Sequence, residues 1–272
     1  LDTDTQLAPC SVHKLVGTMA HILNRPVIDP KRNVVIKGYG ILQPRVATRL
    51  QSSRASFFAD MFTDEAGIDP YTRTVSNVYQ DIFHEGSFVG KGIYDVEVFE
   101  KVLADRLPEN RILSHDLLES AYARSGLMGD VEVYEDYPAS YQADTKRRHR
   151  WMRGDWQIIQ WLFHRVPLLN GSEKNPLSGL SQWKIADNLR RSVVSPLTLI
   201  FVFGFFLWFP VKIWGALLLL LIVTFLPFIF TFPVALLRKP KEIPWNIHIQ
   251  EVLKKSMHQL KQMCFEIITF PY

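Results

Sequence analysis

Two long apolar runs separate a long mixed-polarity region, residues 1–190, from a shorter one, residues 238–272. Residues 192–209 and 213–237 contain no charged side chain, and only three residues separate the two runs. Each run is long enough for a helix to cross a hydrocarbon core of roughly 30 Å. The pattern therefore predicts two transmembrane helices within residues 192–237, joined as a tight hairpin.

Basic residues flank the predicted hairpin on its outer sides, while the connecting turn carries Lys212 alone. The flanking residues are Arg190, Arg191, Arg238, Lys239 and Lys241. Because Lys and Arg concentrate on the cytoplasmic side of membrane proteins, both flanks are predicted to be cytoplasmic. Residues 1–190 are then expected on the cytoplasmic side of a bacterial inner membrane.

Residues 1–190 mix the periodicities of strands and helices. Residues 33–42 and 130–134 alternate as strands do, the former with glycine breaks, whereas 99–107 and 117–125 have helical spacing. Strands interleaved with helices predict an α/β layered domain. Residues 238–272 form a third region with a helical apolar stripe beside lysines. That region fits either an amphipathic helix at the membrane interface or an ordinary helix packed on the domain.

Net charge and cysteine content indicate which ligands and which cellular compartment suit this chain. The 272 residues carry a net charge of +4 with a pI near 9.0, an excess too small to require nucleic acid. Much of it lies in 146–153 and beside the apolar runs, where it suits phosphate groups or anionic lipid. The two cysteines are far apart, and a reducing compartment is the simpler interpretation. The abrupt start, without an initiator Met, predicts a piece of a longer protein.

Asp2 and Asp4 flank Thr3 at the start of the chain. Alternate carboxylates in a strand or tight turn can converge on one hard divalent cation, Mg²⁺ or Mn²⁺, which shares its coordination sphere with phosphate oxygens. Such a cation stabilises charge on a nucleoside diphosphate leaving group. The alternative is a solvated turn.

Asp116 follows a short apolar segment and His115. A carboxylate beside apolar residues has its pKa raised by desolvation, and it can then take the proton of an attacking hydroxyl. The plainer interpretation is a helix cap formed by Ser114 or Asp116, and the two roles are compatible.

Arg147, Arg150 and Trp151 lie in the run Arg-Arg-His-Arg-Trp, with Trp156 shortly after. Guanidinium groups bind pyrophosphate in bidentate fashion, and an indole face is a platform for a sugar ring. A basic cluster attracted to lipid would explain the arginines but not the tryptophans.

The segment 84–95 is rich in glycine and includes Gly90 and Lys91. It could bind acceptor sugar or phosphate through backbone N–H groups and the lysine, or it could be a structural turn.

These motifs together resemble the glycosyltransferase domain of bacterial cyclic β-1,2-glucan synthases and, more distantly, processive cellulose and hyaluronan synthases. The resemblance covers nearly the whole chain. It rests on Leu-Asp-Thr-Asp-Thr at 1–5, Gly-Tyr-Gly-Ile-Leu-Gln-Pro-Arg-Val at 38–46, Gly-Ile-Asp-Pro-Tyr-Thr-Arg at 67–73, Val-Tyr-Gln-Asp at 78–81, Gly-Lys-Gly-Ile-Tyr-Asp at 90–95, Glu-Asn-Arg-Ile-Leu-Ser-His-Asp at 109–116, Arg-Arg-His-Arg-Trp-Met-Arg-Gly-Asp-Trp at 147–156 and Trp-Lys-Ile-Ala-Asp-Asn-Leu-Arg-Arg at 183–191.

The resemblance implies a GT-A-like α/β core, incomplete at its N-terminus, that transfers glucose from UDP-glucose with inversion. It implies that Asp2 and Asp4 hold the metal and diphosphate and that Asp116 is the base. It also implies that Arg147, Arg150 and Trp151 close over the diphosphate and acceptor. The wider superfamily has Gln where this chain has Arg147. The implied partners are UDP-glucose, the growing glucan, the bilayer and the remaining domains of a larger parent protein.

The sequence thus predicts an inverting glucosyltransferase that elongates a β-1,2-glucan. Its rivals are another membrane β-glycan synthase and a catalytically inactive membrane scaffold. Tyr71, within Ile-Asp-Pro-Tyr-Thr-Arg, is a hypothetical priming residue on which the first glucose is placed. Peptide mass mapping after incubation with UDP-glucose tests it, and hexoses elsewhere or nowhere would end the hypothesis.

Overall fold

The computed structural model of the chain describes residues 5–63, 78–108, 110–113, 115–208 and 213–269. Two compact units are present, residues 1–191 and residues 192–272, and the division between them falls inside a long helix. Asp2, Asp4 and Tyr71 lie outside the described residues.

The first unit is built on a four-stranded mixed sheet. Its strand order is β1 (Gln6–Leu7), β6 (Ser125–Glu135), β4 (Ile41–Thr48) and β5 (Ile93–Tyr94). The central pair, β4 and β6, is parallel, while both outer pairs are antiparallel. Residues 41–44 are all buried, as expected for a strand covered on both faces.

The parallel pairing shifts register between Pro44 and Arg45. Pro44 pairs with Met128, but Arg45 pairs with Glu132, so three residues of β6 bulge out. A proline has no N–H to donate to a ladder, which accounts for a break at this point.

Two small antiparallel hairpins lie outside this sheet. They are formed by β2 (Val27–Asp29) with β3 (Val34–Lys37) and by β7 (Arg165–Leu168) with β8 (Gly171–Lys174).

Helices surround the strands of the first unit. They are α1 (Ser11–Ala20), α2 (Leu50–Ser53), α3 (Phe57–Phe62), α4 (Val78–Phe83), α5 (Val96–Leu103), α6 (Asp116–Ala123) and α7 (Tyr141–Gln157), with 3-10 turns at Ile22–Asn24 and Ile159–Leu162. Ser56, Asp95 and Ser140 begin α3, α5 and α7 by accepting a hydrogen bond from the backbone N–H three residues on.

The α/β prediction for the first unit is confirmed, and several predicted boundaries are corrected. The helix expected over 99–107 is α5, which begins at Val96 because Asp95 caps it and ends at Leu103. The helix expected over 117–125 is α6. It ends before Arg124, whose positive φ of 54° turns the chain into β6. The predicted strand 130–134 is only the second half of β6.

One hydrophobic core joins α6, the 3-10 turn at 159–162 and the start of α8 (Gly179–Trp208). Trp161 is buried there, and its Nε1 donates a hydrogen bond to Tyr122 Oη over 3.0 Å. Burial raises the pKa of Tyr122 to about 12, so its hydroxyl stays neutral. These contacts fix α6, the helix that begins with Asp116.

The described residues of the second unit are helical except for the connection at 238–244. The unit contains the end of α8, then α9 (Ile213–Leu237) and α10 (Trp245–Thr269). α8 and α9 are long and apolar enough to cross a membrane. α10 packs against α9, and His248 Nε2 lies 3.2 Å from the carbonyl oxygen of Leu236.

Candidate active site

Asp116 is the first residue of α6, and the residue at the cap position is His115, whose side chain makes no capping hydrogen bond. Of the two predicted caps, Asp116 is wrong, because it already lies within the helix, and Ser114 lies outside the described residues. Leu118 and Tyr122 are fully buried and anchor α6 in the core. The Asp116 carboxylate, half-buried, is thus carried on a rigid first turn.

Gly90 lies directly against this carboxylate. Its φ is +83°, and a β-carbon built on it would come within 3.0 Å of both carboxylate oxygens of Asp116. The positive φ favours glycine at this position, and a β-carbon would also crowd the Asp116 carboxylate. The structure places the predicted Gly90 beside the predicted base.

Lys91 and Glu135 form an ion pair next to Gly90. Lys91 Nζ is 2.5 Å from Glu135 Oε1, and both side chains are nearly buried. Thr5 Oγ1 donates to the same Glu135 oxygen over 3.3 Å. Because Thr5 directly follows the Asp2-Thr3-Asp4 run, Glu135 ties the chain just after that run to the segment that carries Gly90 and Lys91.

A second carboxyl group, that of Glu119, belongs to the same turn of α6. Burial, and secondarily the charge of Asp116, raise the pKa of Glu119 to about 7. His115 Nδ1 lies 3.9 Å from Glu119 Oε1. Sequence reasoning missed Glu119, although its place three residues after Asp116 puts both on neighbouring helical positions.

The Arg-Arg-His-Arg-Trp run lies on α7. Asp144, almost fully buried, accepts hydrogen bonds from Arg147 Nη2 at 2.7 Å and Arg148 Nε at 2.6 Å. The Arg147 guanidinium carbon is 4.8 Å from the ring centre of Trp151 and 5.4 Å from that of Tyr137. Asp144 is a residue that sequence reasoning missed, despite its helical spacing from both arginines.

The three predicted residues of α7 differ in their surroundings, since Arg147 is enclosed while Arg150 and Trp151 are exposed. Arg147 is held between two aromatic rings and a carboxylate, so it supports Trp151 as well as carrying charge. Arg150 is exposed, and Trp151 keeps 42% of its surface exposed. Arg147, Arg150 and Trp151 fall on one face of the helix, because residues three and four apart are neighbours.

One hydrogen bond connects the end of α7 to the approach to Asp116. The backbone N–H of Leu113 donates to Gln157 Oε1 over 2.7 Å. Leu113 is three residues before the candidate base, and Gln157 ends α7. The segments carrying Asp116 and Trp151 are therefore physically joined.

Within the described residues, no group of three or more His, Cys, Asp and Glu side chains could hold a metal ion. The predicted metal ligands, Asp2 and Asp4, lie outside those residues.

No family model matches the chain. Over 195 residues the chain is 51% identical to the cyclic β-(1,2)-glucan synthase NdvB of Rhizobium meliloti (strain 1021). The chain is related to that synthase. The match covers 71% of the chain and 7% of NdvB, so the chain corresponds to a small part of a much longer relative. The relationship to NdvB supports a glycosyltransferase domain, as the sequence predicted, in a segment consistent with one part of a larger protein.

Proposed function

We propose that the chain is the catalytic part of an inverting glucosyltransferase that elongates a β-1,2-glucan from UDP-glucose at the cytoplasmic membrane face. The observation that carries the proposal is the Asp116 carboxylate, held on the first turn of α6 beneath Gly90, in a chain related to a glucan synthase. A GT-A-like arrangement of the first unit belongs to the same proposal.

In the proposed reaction, the 2-hydroxyl oxygen of the terminal acceptor glucose attacks the anomeric carbon of UDP-glucose. A bond forms between that oxygen and the carbon, the bond from the carbon to the diphosphate oxygen breaks, and UDP leaves. Asp116 accepts the hydroxyl proton. Attack opposite the leaving group converts the α-linked donor into a β-linked product.

The remaining residues orient the two substrates. In this proposal Lys91 and Arg150 contact phosphate oxygens. Trp151, which is 42% exposed, is the platform for a sugar ring. Asp2 and Asp4 would hold Mg²⁺ or Mn²⁺, which when bound neutralises charge on the departing diphosphate. Carboxylate oxygens suit such a cation, and Glu135 accepts a hydrogen bond from Thr5, the residue that follows Asp4 in the sequence.

The proposal is tested with Asp116→Asn in membranes containing the full-length protein that carries this chain. The variant keeps the shape of the side chain but cannot accept the proton at neutral pH. Transfer of radiolabelled glucose from UDP-glucose is expected to fall about 10²–10⁴-fold. Asp130→Asn is the matched control, because Asp130 lies on β6 rather than on α6 and its side chain is 69% exposed.

Full transfer activity in Asp116→Asn would overturn the role of this residue. Linkage analysis of the wild-type product separates the proposed enzyme from a synthase of another β-glycan. A wild-type protein that neither transfers nor hydrolyses UDP-glucose with divalent cation present would be an inactive scaffold.

A further inference from the structure

Lys184, in the first half of α8, is a lysine buried inside the first unit. Only 5% of its surface is exposed. Its Nζ is 2.7 Å from Glu85 Oε1, donates to the carbonyl oxygen of Gly86 over 3.0 Å, and lies 5.2 Å from the ring centre of Tyr79. Burying an ammonium group is costly unless it is paired, and here a carboxylate, a carbonyl and an aromatic face surround it.

Glu85 and Gly86 lie near the start of the segment 84–92, which we call the glycine loop. Two further residues fix this end of the loop. Ser125 Oγ donates to the Gly86 carbonyl over 2.9 Å, and Arg124 Nη2 donates to the His84 carbonyl over 3.0 Å. The Gly86 carbonyl therefore accepts hydrogen bonds from both Lys184 and Ser125, and Lys184 adds an ion pair to the residue beside it.

The other end of the glycine loop lies at the candidate active site. The backbone N–H of Val89 donates to Gln43 Oε1 over 2.5 Å, Gly90 lies against Asp116, and Lys91 pairs with Glu135. Three residues thus separate Gly86, which Lys184 holds, from Gly90, the glycine that touches the candidate base.

The same hydrophobic core joins α8 to both parts of this arrangement. Ile185 and Leu189 of α8 belong to it together with Phe88 of the glycine loop and Leu118 of α6. A polar contact lies on the same side of the helix, since Asn188 donates to Asp155 Oδ1 of α7 over 3.1 Å. The first half of α8 is therefore part of the candidate catalytic domain, and its second half is the apolar run that begins at Ser192.

We propose that Lys184 is a positioning residue, which holds the glycine loop so that Gly90 sits against Asp116 during sugar transfer. The inference rests on the proposed function and deepens it by naming a residue that acts through the loop. A displacement of about 1 Å at a reacting group can cost on the order of 10²-fold in rate. Because Asp116 acts on the acceptor hydroxyl, losing the anchor lowers kcat for transfer. Lys91 keeps its own anchor on Glu135, so binding of UDP-glucose is largely preserved.

The test compares Lys184→Met, Lys184→Arg, Glu85→Gln and the double variant Lys184→Met/Glu85→Gln in the full-length protein. Lys174→Met is the matched control, because Lys174 is an exposed lysine on β8 of the same unit. Rates are normalised to the folded enzyme measured by size-exclusion chromatography in detergent. Lys184→Met is expected to lower kcat about 10–100-fold, while its KM for UDP-glucose stays within about threefold of the wild type.

Lys184→Arg retains the cation and is expected to recover most of the lost rate. The double variant is expected to be no slower than Lys184→Met, since residues in one network are not additive. A wild-type kcat in Lys184→Met overturns the inference. So does a loss that vanishes after normalisation to folded protein, which would show a role in folding alone. A wild-type protein that makes no glucan from UDP-glucose overturns the proposed function instead.

Discussion

At the scale of single residues, Lys91 and Glu135 form an ion pair next to the contact between Gly90 and Asp116, although the paired residues are far apart in the chain. Gly90, Lys91 and Asp116 were predicted from local motifs, and the structure brings all three to one place. Glu119 and Glu135 were missed, because a motif shows which residues are neighbours in the chain and not which charges meet across the fold. Thr5 and Glu135, for example, are 130 residues apart.

Glu119 makes the candidate site sensitive to pH. Its pKa in the folded protein is about 7, above the ordinary value of 4.5. Below pH 7 the group is neutral. As the pH rises through about 7 it ionises beside Asp116, and the added negative charge makes Asp116 a stronger base. The transfer rate of the wild type is therefore predicted to rise with pH through about 7.

A pH–rate profile of Glu119→Gln checks this prediction. The profile should run from about pH 5.5 to about pH 8.5, which brackets the titration of Glu119. The glutamine variant cannot ionise, so its profile should lack the step. A second readout is the stability of the folded protein, because proton binding by Glu119 is coupled to folding. When folding raises the pKa of a carboxyl group, the protein loses stability as the pH rises from the unfolded pKa to the folded pKa. The glutamine variant avoids this loss, so its free energy of unfolding should exceed that of the wild type mainly at the alkaline end of the range. An unchanged step in the variant would assign the titration to another group.

At the scale of elements, periodicity predicted which segments are helices and strands better than where they stop. α5 and α6 were expected, but Asp95 begins the first earlier and Arg124 ends the second sooner than their apolar patterns suggest. The full length of β6 was missed, since residues 125–129 contain glycines that interrupt the alternation. Side-chain caps and partner strands decide such ends, and these depend on tertiary contacts.

α7 illustrates how one buried residue organises an element. Asp144 is 2% exposed and pairs with both Arg147 and Arg148. Replacing it by asparagine leaves the half-buried Arg147 without its counter-charge. Asp144→Asn is predicted to destabilise the protein by about 1–3 kcal/mol, measured by denaturant unfolding in detergent with tryptophan fluorescence. Arg148→Gln is the control and should cost less than about 1 kcal/mol, because the Arg148 side chain is 55% exposed. Equal losses in the two variants would contradict a central role for Asp144.

At the scale of the whole molecule, the two units differ in what they bury. The first unit buries a core of apolar side chains against its strands and helices. In the second unit, α9 and the part of α8 that follows residue 191 expose large apolar residues along most of their length. Large exposed apolar surface marks a partner or a lipid environment. The charge pattern around the two runs then predicts that both ends of the chain lie on one side of a bilayer.

Two native cysteines allow this topology to be measured. Cys10 lies in the first unit and Cys264 in α10, and both are free and exposed. With other cysteines of the full-length protein replaced, a membrane-impermeant maleimide should label both in inverted inner-membrane vesicles and neither in intact spheroplasts. Lys212→Cys, in the turn predicted between the two spans, should show the opposite pattern. Because two spans return the chain to the side from which it came, labelling of Cys10 and Cys264 from opposite sides would exclude the hairpin. It would also remove the argument that residues 1–190 face the cytoplasm.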